Sequence, residues 1–254
     1  MLFDFHSHIL PHIDDGSQSI EESCALLKES YRQGVKQMAA TPHFYAHQLS
    51  PQKFLERRNH AWERLQLHLT AEMPEIVLGG EIHYYEGMSR TQEIDQLCLG
   101  DTRILLVEMP ESRWSKHMLE SLLELQNRRI TVMIAHIERY IQYQPAGTWE
   151  FLLNHGILIQ ASAALFLPFS TRRKAVRQLR DGMIHAIGSD CHNMESRRPN
   201  MGPAVEYIQK KLGSHFIADM EEREERLLNG SETIFQIPGG RLYVPDRTVE
   251  RVQQ

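Results

Sequence analysis

The stretch LFDFHSH, residues 2–8, is a short apolar run that ends in two histidines two positions apart. Such a run reads as a buried β-strand, and residues two apart on extended chain point to the same side, so His6 and His8 share one cavity. The same pattern recurs along the chain. Apolar, β-branched runs fall at residues 35–40, 76–80, 103–107, 131–135, 157–160 and 185–188. Most are followed at once by a metal-ligand type: His43, Glu81, Glu108, His136, and the pair Asp190 and His192. Helical periodicity fills the intervals at 19–33, 54–69, 117–127, 149–154, 172–180 and 204–212. In the first of these, Ser19 and Glu22 form a capping box, Gly34 marks the stop, and Cys24, Leu27 and Tyr31 share the buried face. Alternating strands and helices indicate a parallel sheet. The length of 254 residues, without a Pro, Gly or Ser-rich linker, favours a closed barrel over an open doubly wound sheet. The expectation is an α/β protein with a distorted, parallel, TIM-like barrel of seven strand–helix units. It forms a single domain over 1–254 with a polar tail from about 238.

In such a barrel all strand carboxyl ends open on one face, so ligand-type residues far apart in sequence converge there. Each residue alone has an ordinary explanation, as a helix cap, a carbonyl partner or a solvated acid. Together they do not, because Glu81, Glu108 and Asp190 beside apolar runs are costly to bury without cations or donors. Bound cations supply that compensation. In PHIDDG, residues 11–16, Asp14 and Asp15 suit a turn before Gly16, and one of them is a candidate ligand. His12, His47 and His83 lie near the candidates and are read as supporting or substrate contacts. His60, His68, His117, His155 and His215 fall on helices or their ends and are set aside.

Composition narrows the function classes. A hydrophobic fraction of 41% and a charged fraction of 24% are those of soluble globular proteins. A net charge of −5 with dispersed Lys and Arg offers no broad basic surface, so no nucleic-acid partner is expected. No apolar stretch is long enough to span a bilayer, and Met1 leads into the first strand without a basic, apolar leader, so membrane insertion is not expected and the cytoplasm is. Three cysteines without CxxC spacing indicate neither a disulfide framework nor a thiolate zinc site.

Taken together, DFHSH (4–8), DDG (14–16), TPH (41–43), GGEI (79–82), AHIERY (135–140) and SDCHN (189–193) resemble the polymerase and histidinol phosphatase (PHP) superfamily. Within it, the HSHILPHIDDGS opening, AHIERY, and SDCHN with its following arginine resemble the bacterial protein tyrosine phosphatases of capsule and exopolysaccharide operons. The resemblance runs from Phe3 to about Phe235. It implies the PHP fold and three divalent ions, usually manganese, with iron or zinc in related sites. One ion would be held by His6, His8, Glu81 and Asp190, a second by the bridging Glu81 with Glu108 and His136, and a third by Asp15, His43 and His192. It further implies that Arg139 and Arg197 at the rim bind phosphate oxygens, with Arg198 a competitor for the second role. Phosphomonoester hydrolysis would use metal-activated water and no phosphoenzyme. The implied substrate is the phosphotyrosine-containing tail of a bacterial tyrosine kinase that regulates capsular or exopolysaccharide synthesis. Two rival readings are a phosphatase for a small phosphoester such as histidinol phosphate, and a catalytically silent metal-binding regulatory module. Cys191 and Arg197 match the Cys-x5-Arg spacing of cysteine-dependent phosphatases, but the intervening residues lack the glycines of a phosphate cradle.

Overall fold

The computed structural model describes residues 2–229, so the tail expected from about 238 lies outside the described residues. Nine strands pair in parallel throughout. They are β1 (Leu2–Ser7), β2 (Val35–Ala40), β3 (His43–Phe44), β4 (Glu75–Leu78), β5 (Glu81–His83), β6 (Ile104–Glu108), β7 (Thr131–Ile134), β8 (Leu158–Ser162) and β9 (Ala186–Gly188). One run has the order β1-β2-β4 and the other β3-β5-β6-β7-β8-β9. Residues 41–42 join β2 to β3 and residues 79–80 join β4 to β5, and each half pairs with its counterpart. Pro42 has no N–H to give, so the ladder breaks there, while its carbonyl accepts from Glu81 N at 3.0 Å. The nine strands therefore form seven staves, as the sequence indicates. The curl is drawn together by an isolated bridge between Ser7 and Cys191 and by Asp190 N donating to His6 O at 2.8 Å.

Among the described residues seven α-helices cover the sheet: α1 (Ile20–Arg32), α2 (Pro51–Leu65), α3 (Lys116–Asn127), α4 (Ala146–Asn154), α5 (Arg172–Arg180), α6 (Met201–Leu212) and α7 (Ser214–Leu228). Serine hydroxyls at 19, 50 and 115 accept from backbone N–H groups three residues on, which satisfies helix-start donors. Only half of the expected capping box forms, because the Glu22 carboxylate accepts from Gln18 N instead of Ser19 N. The buried face of α1 is Ser23, Leu26, Leu27 and Ser30, so Leu27 is central while Cys24 and Tyr31 sit at its margin. Gly34 follows with φ of 95°, the left-handed conformation of a helix stop.

Inside the curl, Phe3, Phe5, Ala39, Leu106, Met133, Ala135, Leu158 and Ala186 form one apolar cluster, joined by Leu227 from α7. Phe3 and Phe5 fill this lower layer and His6 and His8 face the layer above, which strict alternation forbids. The register of β1 against β2 slips between Asp4 and Ser7. A bulge of this kind adds a residue and reverses which face the next side chains occupy.

Candidate active site

All nine expected ligand residues meet at the carboxyl ends of the staves. Two of them have backbone in an unusual conformation. His136 and Asp190, each two residues beyond the end of a strand, have φ of 29° and 52°, a region that non-glycine residues seldom adopt. Each is fixed by a hydrogen bond: His136 N donates to Gln160 Oε1 at 2.6 Å, and Asp190 N to His6 O. Close approach matters as well. A Cβ at Gly188 would lie 2.5 Å from the His6 Cβ, and one at Gly16 would lie 2.2 Å from the His8 carbonyl oxygen.

Glu81 is the centre of the arrangement. Its fully buried carboxylate lies 2.7 Å from His136 Nε2 through Oε1. Its Oε2 lies 3.3 Å from His6 Nε2, 3.4 Å from His8 Nε2 and 2.9 Å from His43 Nδ1. Despite those neighbours Oε2 has no hydrogen-bond partner, and neither has His43 Nδ1. Buried polar atoms in a folded protein are ordinarily satisfied, so a carboxylate oxygen and imidazoles gathered out of hydrogen-bond alignment fit a shared cation. Burial alone would raise the Glu81 and Asp190 pKa values, yet the charge of His6 and neighbouring hydrogen bonds hold both well below the usual carboxylate range.

Three sets of ligand atoms lie within 4.8 Å of one another: His8, Asp15, His43 and His192; His6, His8 and Glu81; and His43, Glu81 and Glu108. This differs in detail from the grouping that the resemblance implies, since His8 also joins the Asp15 set and His43 also joins the Glu108 set. Asp190 Oδ1 stands 3.6 and 3.5 Å from the His6 and His8 Nε2 atoms, and His136 Nε2 stands 3.5 Å from Glu108 Oε1. Imidazole and carboxylate donors without thiolate suit manganese, iron or zinc.

The two aspartates of the DDG turn separate by role. Asp14 Oδ2 accepts from His8 Nδ1 at 2.7 Å and from His43 N at 3.0 Å, while its Oδ1 accepts from Gly16 N. It therefore orients His8 with Nε2 facing the cavity. Burial opposes a charge on His8, but Asp14 keeps its pKa well above the ordinary imidazole value. Exposed Asp15 instead reaches His43 Nε2 at 3.5 Å and His192 Nε2 at 3.4 Å. Of the supporting histidines, His83 Nδ1 hydrogen-bonds Glu108 Oε2 at 3.2 Å, whereas His12 and His47 are exposed.

Both candidate arginines reach further in than the rim. Arg139 donates to Glu108 Oε1 at 3.0 Å and Asp190 Oδ2 at 3.4 Å, and Arg197 donates to Asp190 Oδ2 at 2.6 Å and His192 Nε2 at 2.9 Å. Arg198 lines the same cleft of about 500 Å³ without such contacts, which favours Arg197 over it. Cys191 is fully buried, and burial pushes its thiol up to about 12. The N–H groups of Glu195, Ser196 and Arg197 all donate to Asn193 Oδ1, so the segment presents no amide cradle to a phosphate.

Three supporting residues escape a reading of the sequence. The Tyr140 hydroxyl contacts His136 Nδ1 at 3.1 Å and accepts from Met109 N, a role hinted at only by its place four residues after His136. Gln160, inside a strand, fixes His136 N. The ring of Tyr45, two residues beyond His43, lies 5.3 Å from it and 5.5 Å from His83, and burial with nearby Glu108 and Glu81 raises its pKa to about 12. Its signal is the same period of two that pairs His6 with His8.

Comparison with known proteins places the chain among relatives of similar length and fold. The family described as capsular polysaccharide synthesis, CpsB/CapC, matches residues 2–228. The tyrosine-protein phosphatase CpsB of Streptococcus pneumoniae is 32% identical over 84% of this chain and 92% of its own. The tyrosine-protein phosphatase YwqE of Bacillus subtilis is 30% identical over 93% of this chain and 95% of its own. A solved structure from the pair YwqE of Bacillus subtilis and CpsB of Streptococcus pneumoniae, described as unique metal-dependent tyrosine phosphatases, superimposes with a TM-score of 0.79. It is 26% identical and covers 93% of this chain and 98% of its own. Histidinol phosphate phosphatase of Lactococcus lactis, at 14% identity and a TM-score of 0.53, shares the fold, over 82% of this chain and 92% of its own.

Proposed function

Because the chain belongs to the capsular polysaccharide synthesis CpsB/CapC family, we propose that it is a metal-dependent protein tyrosine phosphatase, working as one catalytic domain over 1–254. The observation that carries this reading is the buried Glu81 carboxylate, ringed by His6, His8, His43 and His136 with one oxygen lacking a hydrogen bond. His6, His8, Asp15, His43, Glu81, Glu108, His136, Asp190 and His192 would hold three divalent ions, manganese first and iron or zinc as alternatives. Such ions lower the pKa of water toward 7 and offset phosphate charge.

The chain's own groups do the positioning. Asp14 sets the tautomer of His8, and carboxylate partners of this kind commonly raise ligand basicity and fix ring orientation. Tyr140 and Gln160 set the ring and backbone of His136. The planar guanidinium forks of Arg139 and Arg197 suit the bidentate binding of phosphate oxygens. Leu167 and Pro168 give the cleft beside them an apolar wall against which a tyrosyl ring fits. Cys191 takes no part, and no phosphoenzyme forms on it.

The substrate is a phosphotyrosine-bearing segment of a bacterial tyrosine kinase that governs capsule or exopolysaccharide synthesis, and the enzyme acts in the cytoplasm. No helix among the described residues is long and apolar enough to cross a membrane. Turnover of a phosphotyrosyl peptide tests the reading. Chelation should abolish it, manganese should restore it, and Cys191→Ser should leave kcat/KM within about twofold of wild type. Activity that survives chelation and disappears in Cys191→Ser would give the chemistry to a cysteine. Faster turnover of histidinol phosphate than of the peptide would favour the small-ester reading.

A further inference from the structure

Away from the site, the surface segregates its charge. The chain is net −5, yet α5 reads RRKAVRQLR. Ala175, Val176 and Leu179 of this helix are buried against the body of the protein, while Arg173, Arg177 and Arg180 recur at helical spacing on its exposed side. The neighbouring α6 places exposed Lys210 and Lys211 beside them. Two hollows lie between these helices. One, of about 360 Å³, is lined by Arg173, Arg177, Arg180 and Lys211 with Tyr207. The other, of about 240 Å³, is lined by Arg172 and Lys210 with Glu206, Leu167 and the same Tyr207. Leu167 also lines the 500 Å³ cleft that holds Arg139, Arg197 and Asp190. Leu167 thus borders both the active-site cleft and the smaller hollow, and Tyr207 borders both hollows, so the three lie side by side along one track of the surface.

Arg172 is held as a binding group would be. Its guanidinium carbon lies 4.9 Å from the centre of the Phe169 ring and 4.7 Å from that of Tyr207. Its Nε is buried and has no hydrogen-bond partner. Phe169 is 68% exposed, so this aromatic clamp faces solvent. A guanidinium already fixed by aromatic faces loses less freedom when it takes an anion.

We propose that this track binds an extended anionic stretch of the same polypeptide that delivers phosphotyrosine to the active site. The recognised chemistry is carboxylate side chains or further phosphate groups. The inference rests on the tyrosine phosphatase reading. From Arg172 to Arg180 the helix rises about 12 Å, the span of about four residues of extended chain. Basic groups lining hollows between two helices suit a polypeptide laid along them, whereas a bilayer meets a flat or protruding face. One exposed charge pair contributes little, so affinity comes from several in series and falls with added salt.

The test compares the full-length, manganese-loaded wild type with the triple variant Arg173→Gln, Arg177→Gln and Lys211→Gln. The substrates are p-nitrophenyl phosphate and three phosphotyrosyl peptides of equal length, with neutral, Glu-rich or second-phosphotyrosine flanks. Wild type should show a KM about tenfold lower for the anionic flanks than for the neutral one. The triple variant should lose that advantage while keeping kcat and p-nitrophenyl phosphate turnover. The Glu and phosphotyrosine arms tell which anion is preferred. Equal KM for all flanks in wild type, or a triple variant that affects all four substrates alike, would overturn the proposal. So would sedimentation of wild type with phosphatidylglycerol vesicles, lost in the variant, without any flank effect, which would assign the patch to a lipid surface. If no peptide is hydrolysed while p-nitrophenyl phosphate is, the tyrosine phosphatase reading fails on its own. Fluorescence anisotropy with the Glu-flanked peptide then decides the track: about tenfold weaker binding in the variant supports it, and unchanged binding overturns it.

Discussion

Asp14 shows how a single carboxylate governs a cluster that it does not enter. It accepts from His8 Nδ1, His43 N and Gly16 N, so one side chain ties the DDG turn to two candidate ligands. Asp14→Asn keeps the shape and loses the charge that fixes the His8 tautomer. Outer partners of metal-binding histidines commonly contribute 10- to 100-fold in metal affinity. Isothermal titration of the variant with manganese should therefore show affinity lower by about that range, while circular dichroism stays unchanged. Undiminished affinity would mean that His8 needs no such partner. Sequence named both aspartates and could not separate them, because each equally suits a turn before glycine. Only the fold shows Asp14 turned inward and Asp15 toward His43 and His192. The same holds for Arg197 and Arg198, whose identical chemistry is distinguished by the hydrogen bonds to Asp190 and His192.

At the scale of elements, the alternation of apolar runs with helical segments was enough to place the staves, since burial on both faces makes each strand a continuous apolar run. Three features were not legible. The slip in β1 depends on its partner strand. The breaks that create β3 and β5 come from the backbone of residues 41–42 and 79–80, not from a change in apolar pattern. The helix α7 is hidden by its charge-rich EEREER run, although Met220, Glu224 and Leu227 of it are buried. Glu224 is completely enclosed and accepts from Phe3 N at the start of β1. Burial raises its pKa from 4.5 to about 8. The folded chain thus keeps a proton that the unfolded chain releases above its ordinary value. This contribution to stability is complete below about pH 4.5 and is lost as pH rises toward 8. Glu224→Gln should accordingly stabilise the protein at pH 8 by on the order of 4 kcal/mol and change little at pH 4.5. Thermal denaturation at the two pH values checks this, and an equal shift at both would contradict it.

For the whole molecule, one principle connects fold and site: parallel staves deliver residues from positions 6 to 192 onto a single face. That much was readable, because strand ends can be located from apolar runs and the ligand types follow them directly. The inward position of both arginines and the basic track beside the cleft were not, since they depend on how helices and loops pack around the mouth. If these gathered imidazoles and carboxylates hold divalent cations, Glu81, within reach of His6, His8, His43 and His136, would be the residue whose loss costs most metal. The most direct test is the manganese content per chain, measured by elemental mass spectrometry after dialysis, for wild type and for Glu81→Gln. About three ions in wild type and at most one in the variant are expected; equal content in both proteins, or none in wild type, would contradict the claim.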